Sequence, residues 1–192
     1  MIDFEKYENL IKSRLSEYRY IHSMNVSKSA VALAEKYSAD PEKARLAGIL
    51  HDVMKEEELS VQYDYIRKNG EELTAARLLN NSVIHQMSGA AYCRLELGID
   101  DKDVLGAIRY HTTGRRDMTL LEQVVYTADF ISADRNYPDV EKMRELADES
   151  LDEAMLYSLK YTINKLVGAE LIVEPDTLEC YNFILEKKLS NK

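Results

Sequence analysis

The sequence has little glycine and less proline, seven and three among 192 residues, where average usage is about 7% and 5%. Sandwiches and barrels with many tight turns, and sites built on glycine-rich phosphate loops, are poorly served by such a chain. Tryptophan is absent, and the only cysteines are Cys93 and Cys180. They stand far apart with no Cys-x-x-Cys spacing, so free thiols in a reducing compartment are expected rather than a structural disulfide. Basic residues are in the minority, 25 Lys and Arg against 34 Asp and Glu, for a formal net charge of −9. Sequence-independent binding to nucleic acid or to an anionic membrane surface relies on a basic face, so neither partner is expected. No apolar run approaches the ~18–20 residues of a membrane span. The first residues, Met1 to Tyr7, lack the basic and apolar regions of a secretory leader. The expectation is a cytoplasmic chain. A small anionic ligand stays open, because a bound metal and a few cations can reverse the field inside a cleft.

What is present is an ordinary globular balance, 45% hydrophobic against 31% charged, in a length that fits one domain. Roughly 70% of the unfolded surface of such a chain is buried on folding, enough for a core without disulfides. The dominant period is helical. Val26, Ala30, Leu33 and Tyr37 share one face, and Asp40-Pro41 reads as an N-cap followed by proline at the first helical position. Ala44, Ala47, His51 and Met54 continue the pattern; Asn69-Gly70 marks a turn. Further stripes are Ile84-Ser88-Ala91-Leu95, Val104-Ile108-His111, Leu121-Val125-Ala128-Ser132 and Met155-Leu159-Thr162-Leu166. A last helix over about Asp176 to Leu189 carries Leu178, Tyr181, Leu185 and Leu189 on one face. No stretch alternates with period two. The expected class is all-α, a compact helical bundle.

Only four histidines are available, and all four fall on or beside these apolar stripes: His22, His51, His85 and His111. A lone histidine on an apolar face is more often a core residue with its ring nitrogens satisfied. Four of four is harder to treat that way, because histidine is usually only intermediate in burial. His51-Asp52 is the sharpest element. Adjacent helical residues diverge by ~100°, so both reach one ion only if it sits over the edge between them. Asp129 lies within Val124-Val125-Tyr126-Thr127-Ala128-Asp129-Phe130-Ile131, the most apolar context of any carboxylate here. Such a carboxylate needs a cation or several donors, and an ion pair with Arg109 or Arg135 competes with a metal for that role. Asp134, the rival carboxylate, falls near a helix end and reads as solvated. His22, His51, Asp52 and Asp129 make a set of two imidazoles and two carboxylates. Mixed nitrogen and oxygen ligation suits Fe, Mn, Zn or Mg-type ions. An octahedral ion so held keeps two positions for water and a substrate oxygen, and generates hydroxide near neutral pH.

The strings Arg19-Tyr20-Ile21-His22-Ser23, His51-Asp52-Val53-Met54-Lys55 and Arg109-Tyr110-His111-Thr112-Thr113-Gly114 continue through Tyr126 to Ile131, Glu174 to Thr177 and Tyr181-Asn182. Together they resemble the HD-domain metal-dependent phosphohydrolases, and more closely their symmetrical bis(5'-nucleosyl)-tetraphosphatase branch, the YqeK-type diadenosine tetraphosphate hydrolases. The resemblance covers nearly the whole chain. It implies a single HD domain over residues 1–192, with C-terminal helices from about 151 completing the nucleotide pocket. It also implies hydrolysis of diadenosine tetraphosphate to two ADP. An iron-type ion is expected on His22, His51, Asp52 and Asp129, with Mn, Co or Zn as alternatives and a second ion through His85 and His111 left open. The implied catalytic residues are Asp52, His85 and His111. Arg19, Lys55, His85, His111, Thr112 and Arg135 are expected on the phosphates, and Ile172, Val173, Glu174, Pro175, Asp176 and Thr177 on the nucleoside. Two departures stand out. The family's Glu-Pro-x-Arg is Ser132-Ala133-Asp134-Arg135 here, and its His-Pro-Asp-Thr is Glu174-Pro175-Asp176-Thr177.

The expected reaction is attack of metal-bound hydroxide on a phosphoanhydride, with Arg19, Lys55 and Arg135 neutralising phosphate charge. His85 and His111 would donate protons to the leaving phosphate or bind it as imidazolium. Lys55 also reads as an exposed residue beside the acidic run Glu56-Glu57-Glu58. Arg115-Arg116 reads as a solvated loop ahead of a phosphate contact. Most of the 13 tyrosines are expected in the core, with one or two free to stack on adenine. Two other classes compete. One is a different HD phosphohydrolase, acting on a nucleoside monophosphate, a deoxynucleoside triphosphate or a guanosine alarmone. The other is a non-catalytic nucleotide sensor. A homodimer is left open.

Overall fold

The computed structural model describes residues 2–190, and among them every regular element is helical. In chain order the helices are α1 (Phe4–Arg14), α2 (Glu17–Tyr37), α3 (Pro41–Leu50), α4 (Leu59–Lys68), α5 (Ala75–Leu79), α6 (Ile84–Leu95), α7 (Lys102–Tyr110), α8 (Leu120–Ile131), α9 (Val140–Glu149), α10 (Leu151–Gly168) and α11 (Pro175–Ser190). Their starts follow from short polar side chains. Asp40 accepts from the amides of Glu42 and Lys43 at 2.9 and 3.1 Å ahead of Pro41. Asp101 does the same for Asp103 and Val104 at 3.0 and 3.1 Å. Thr119 and Glu122 cap α8 reciprocally. Each cap satisfies amides that have no partner in the first helical turn.

Helices α2, α3, α7 and α8 surround the main core, built on Val26, Ala30, Leu50, Val53, Ile108, Val124, Val125 and Ala128. One glycine fixes its tightest contact. A Cβ on Gly48 would stand 2.6 Å from the Cα of Ser27, so only glycine lets α3 press onto α2. That approach brings His51, three residues on, to a ring-centroid distance of 5.3 Å from His22. Helices α10 and α11 close a second, smaller core of Met118, Tyr126, Met155, Leu156, Leu159, Cys180 and Ile184. Cys93 and Cys180 are free, buried thiols in different cores. No helix among the described residues is long and apolar enough to cross a membrane.

Three details depart from the periodic reading. The helix expected to run through His51 to Met54 ends at Leu50, and the chain tightens into turns in which Val53 N–H donates to Leu50 O and Lys55 N–H to Asp52 O. His51 Nε2 and Asp52 Oδ2 still come within 3.6 Å of each other. On α11 the buried face is Thr177, Cys180 and Ile184, while Leu178 and Leu189 are exposed. The small thiol wins this position because it packs where a Cβ on Gly114 would meet its Sγ at 2.7 Å. Helices α1, α4 and α9 bury only one to three side chains each, too narrow a stripe to stand out in a charged sequence.

Candidate metal centre

All four histidines are almost completely buried, and all four converge. His51 and His111 directly follow α3 and α7, and each points its Nδ1–H at the carbonyl three residues back, Gly48 O and Ile108 O, both at 2.8 Å. That bond fixes the tautomer and leaves Nε2 with its lone pair facing inward. Asp52 lies among the rings. His85 Nε2 is 3.2 Å from its Oδ1 and His111 Nε2 3.6 Å; His51 Nε2 is 3.6 Å from Oδ2 and His22 Nε2 4.0 Å. Arg19 reaches the same Oδ2 at 3.1 Å. On the α8 side His22 Nε2 meets Asp129 Oδ1 at 3.0 Å, and Arg135 pairs with Asp129 and donates to its carbonyl at 2.7 Å.

Two overlapping groups have ligand atoms within 4.8 Å of one another: His22 with His51 and Asp129, and His51 with Asp52 and His111. The Nε2 of His51, common to both, is buried without a hydrogen-bond partner. An orphaned lone pair at the junction of two such groups, fixed by a bond on the opposite ring atom, is the arrangement a divalent cation satisfies. The donor set fits the ion.

Electrostatics follow the packing. Burial pulls His51 down to about 3 and, with Lys55 adding to it, His85 down to about 4. His85 is thus a neutral ring at pH 7, where an imidazolium was one expectation; desolvation outweighs the pull of Asp52. For His22 burial is the largest single influence and opposes the charge, but the hydrogen bond and the negative charge of Asp129, with Asp134 adding to them, together outweigh it and raise the pKa. Burial pushes Asp52 and Asp129 upward, yet the His51 field and the Arg135 charge respectively help hold each well below the usual carboxylate range.

Ten predicted residues gather at this centre: His22, His51, Asp52, Asp129, His85, His111, Arg19, Lys55, Thr112 and Arg135. Lys55 is not an exposed residue of the acidic run; its Nζ lies 3.2 Å from both ring nitrogens of His85. Thr112 Oγ1 is 3.3 Å from His85 Nε2. Both candidates for Asp129's ion pair are resolved: Arg135 takes it, while Arg109 pairs with Glu71 at 3.0 Å. Arg115 and Arg116 pair with Glu122 and Glu186 at 3.0 and 2.9 Å, away from the centre. The segment Ile172 to Thr177 stands apart from the rings. Glu174 and Asp176 are held by Arg77 at 2.6 and 3.1 Å, and Asn80 donates to Ile172 O at 3.4 Å.

Two groups of residues escaped sequence reasoning. Asp134, read as solvated, accepts from His22 Nδ1 at 2.7 Å and from Asn25 Nδ2 at 3.1 Å. Nothing local in the sequence signals a contact between residues so far apart. The second group forms a cavity of about 500 Å³ that opens on Asp129 and Arg135. Phe130, Tyr137, Tyr161, Thr162, Lys165, Leu166 and Leu171 complete its wall with Ser82. The signal for part of it was present, since Thr162 and Leu166 continue the Met155-Leu159 stripe beyond the core.

A family model described as HD domain matches residues 19–134. The symmetrical bis(5'-nucleosyl)-tetraphosphatase of Halalkalibacterium halodurans is 42% identical over 182 residues, 93% of this chain and 96% of that protein. The Bacillus subtilis protein of the same name is 40% identical over 91% of this chain and 94% of its own length. The crystal structure of a predicted HD superfamily hydrolase involved in NAD metabolism, from Clostridium acetobutylicum, superposes with a TM-score of 0.94 at 36% identity, covering 97% of this chain and 99% of that one.

Proposed function

The chain belongs to the HD-domain family and, within it, to the symmetrical bis(5'-nucleosyl)-tetraphosphatases, and on that premise we propose that it cleaves diadenosine tetraphosphate to two ADP at the centre formed by His22, His51, Asp52 and Asp129. His51 carries the reading: a buried imidazole with Nδ1–H committed to Gly48 O, and Nε2 unpartnered between two carboxylates and two further rings. Those four residues would hold a divalent ion, iron first, with Mn, Co or Zn as the alternatives that mixed nitrogen and oxygen ligation admits. When bound, the ion supplies Lewis acidity and lowers the pKa of water at the site.

The rest is the work of the chain's own side chains. Phosphoanhydride hydrolysis asks chiefly for positioning and charge stabilisation. Arg135 and Arg19 sit on Asp129 and Asp52 at the two edges of the centre. Their guanidinium forks suit phosphate oxygens arriving between them. His85 Nε2 lies 3.2 Å from Asp52 Oδ1, an acceptor only, and 3.1 Å from His111 Nε2, so its proton would sit on Nε2, with Lys55 Nζ 3.2 Å from both ring nitrogens. That N–H is placed to hydrogen-bond the departing phosphate oxygen, whose developing charge Lys55 Nζ beside the ring would help to carry. The cavity beside Asp129 and Arg135 would take one nucleoside, its purine against Tyr137 and Tyr161, whose rings lie 5.7 Å apart. Helix α10 supplies much of that wall, and the segment Ile172 to Thr177, anchored by Arg77 and following the wall residue Leu171, would contact the nucleoside from the rim. The cytoplasm, where nucleotides and free thiols coexist, is the compartment we assign.

The test is turnover of diadenosine tetraphosphate, aerobic and anaerobic, with metal analysis of the same preparation and chromatography of the products. Two ADP per substrate in the metal-loaded protein is the expected outcome; AMP with ATP, or binding without turnover, overturns it.

A further inference from the structure

A substrate with a nucleoside at each end of four phosphates needs room for two nucleoside diphosphate arms, and the cavity at Asp129 and Arg135 accounts for one. We propose that Tyr18 is the platform on which the purine of the second arm stacks. The inference rests on the function proposed above.

Helix α2 sets the geometry. Tyr18 lies four residues before His22, so the two are neighbours on one helical face, about 6 Å apart along the axis. Their exposures are opposite: His22 is 1% exposed and Tyr18 62%. Arg19 links the exposed ring to the buried centre. Its NH1 stands 3.1 Å from Asp52 Oδ2, and its guanidinium carbon 5.6 Å from the Tyr18 ring centroid. A phosphate arm leaving the centre past Asp52 therefore meets a guanidinium and then an open aromatic face. The other two cations of the centre are committed elsewhere, Arg135 in the cavity wall and Lys55 against His85. Tyr18 is no part of that cavity wall. Ile21, three residues on and 47% exposed, widens the apolar surface beside the ring. Aromatic stacking tolerates any base, and its removal costs about 5- to 100-fold in affinity.

The experiment compares a two-nucleoside ligand with a one-nucleoside ligand. Steady-state kinetics on diadenosine tetraphosphate are measured for the wild type, Tyr18→Ala and Tyr18→Phe. The inhibition constant of adenosine 5'-tetraphosphate, which fills the cavity arm alone, is measured for each. Tyr18→Ala is expected to raise KM for the dinucleotide about 5- to 100-fold, with a smaller change in kcat and an inhibition constant within about twofold of wild type. Tyr18→Phe keeps the π-face and is expected to behave as wild type. An unchanged KM in Tyr18→Ala overturns the proposal. So does an equal loss for both ligands, which would make Tyr18 a support of the shared centre, or a Tyr18→Phe variant as impaired as Tyr18→Ala. The underlying reading fails on a different result, full metal content and turnover in His51→Ala, so the two failures are told apart.

Discussion

On the α2–α8 side of the centre, His22 is gripped at both ring nitrogens by carboxylates, Asp129 at 3.0 Å and Asp134 at 2.7 Å, with Arg135 balancing the charge. On the α6–α7 side, His85 and His111 face each other at 3.1 Å with Lys55 Nζ against the His85 ring. The four imidazoles are chemically identical, yet their surroundings send them in opposite directions. Carboxylate partners raise His22, while burial beside a lysine keeps His85 neutral. On the function proposed above, the first side would hold a cation, its two carboxylates facing one arginine. The second, on the same reading, would present the neutral His85 N–H to the substrate, with His111 Nε2 3.1 Å behind it. Asp52 and His51 belong to both sides, and that shared pair makes the centre one site.

Removing the shared element gives the largest effect. His51→Ala deletes the one nitrogen common to both ligand groups, so bound metal and turnover are expected to disappear together, by ~10³-fold or more for turnover. Elemental analysis and kinetics on one preparation check it; metal at full stoichiometry would separate the centre from His51. Breaking one side alone should cost less. Asp134 fixes His22 through Nδ1–H, with Asn25 holding Asp134 in turn. Asp134→Ala is expected to weaken metal binding about 10- to 100-fold, the usual cost of losing a carboxylate behind a ligating histidine. Asp134→Asn keeps an acceptor for that N–H and should stay near the wild type in a metal titration. Equal losses in the two variants would mean that Asp134 acts by charge rather than by orienting the ring.

The same contrast explains what the sequence could reveal. The stripes that hold α2, α3, α6, α7 and α8 were legible because each buries a broad face, and the histidines on them were legible because so few exist. The resemblance pointed to Arg19, Lys55 and Arg135, and Lys55 lies against His85 despite its acidic neighbours. Asp134 was not legible. Its role depends on a loop after α8 returning to α2, and at its own position it looks like any polar residue near a helix end. Tyr137 was hidden in the same way, on the loop between α8 and α9 where no period marks it. The pairing of Glu174 with Arg77 was hidden too, since Arg77 lies on a short helix too small to show a period.

The smallest predicted effect tests the contrast most directly, through stability of the metal-free protein against pH. An unfolded histidine titrates near 6.5. His51 and His85 are depressed to about 3 and about 4, so below 6.5 the unfolded chain binds protons that these rings refuse, and stability falls as pH falls. His22 is raised, so its contribution is complete below 6.5 and is lost as pH rises through its folded value. The two sides thus enter with opposite signs. Urea denaturation with a chelator present, at several pH values between about 4 and 7, measures the slope. His85→Gln should flatten the acid side by up to about 1.4 kcal/mol per pH unit, whereas His22→Gln should alter only the behaviour above about 6.5. An acid slope unchanged in His85→Gln would mean that His85 carries its charge in the folded state, and the distinction between a cation-holding side and a side that presents a neutral N–H would collapse.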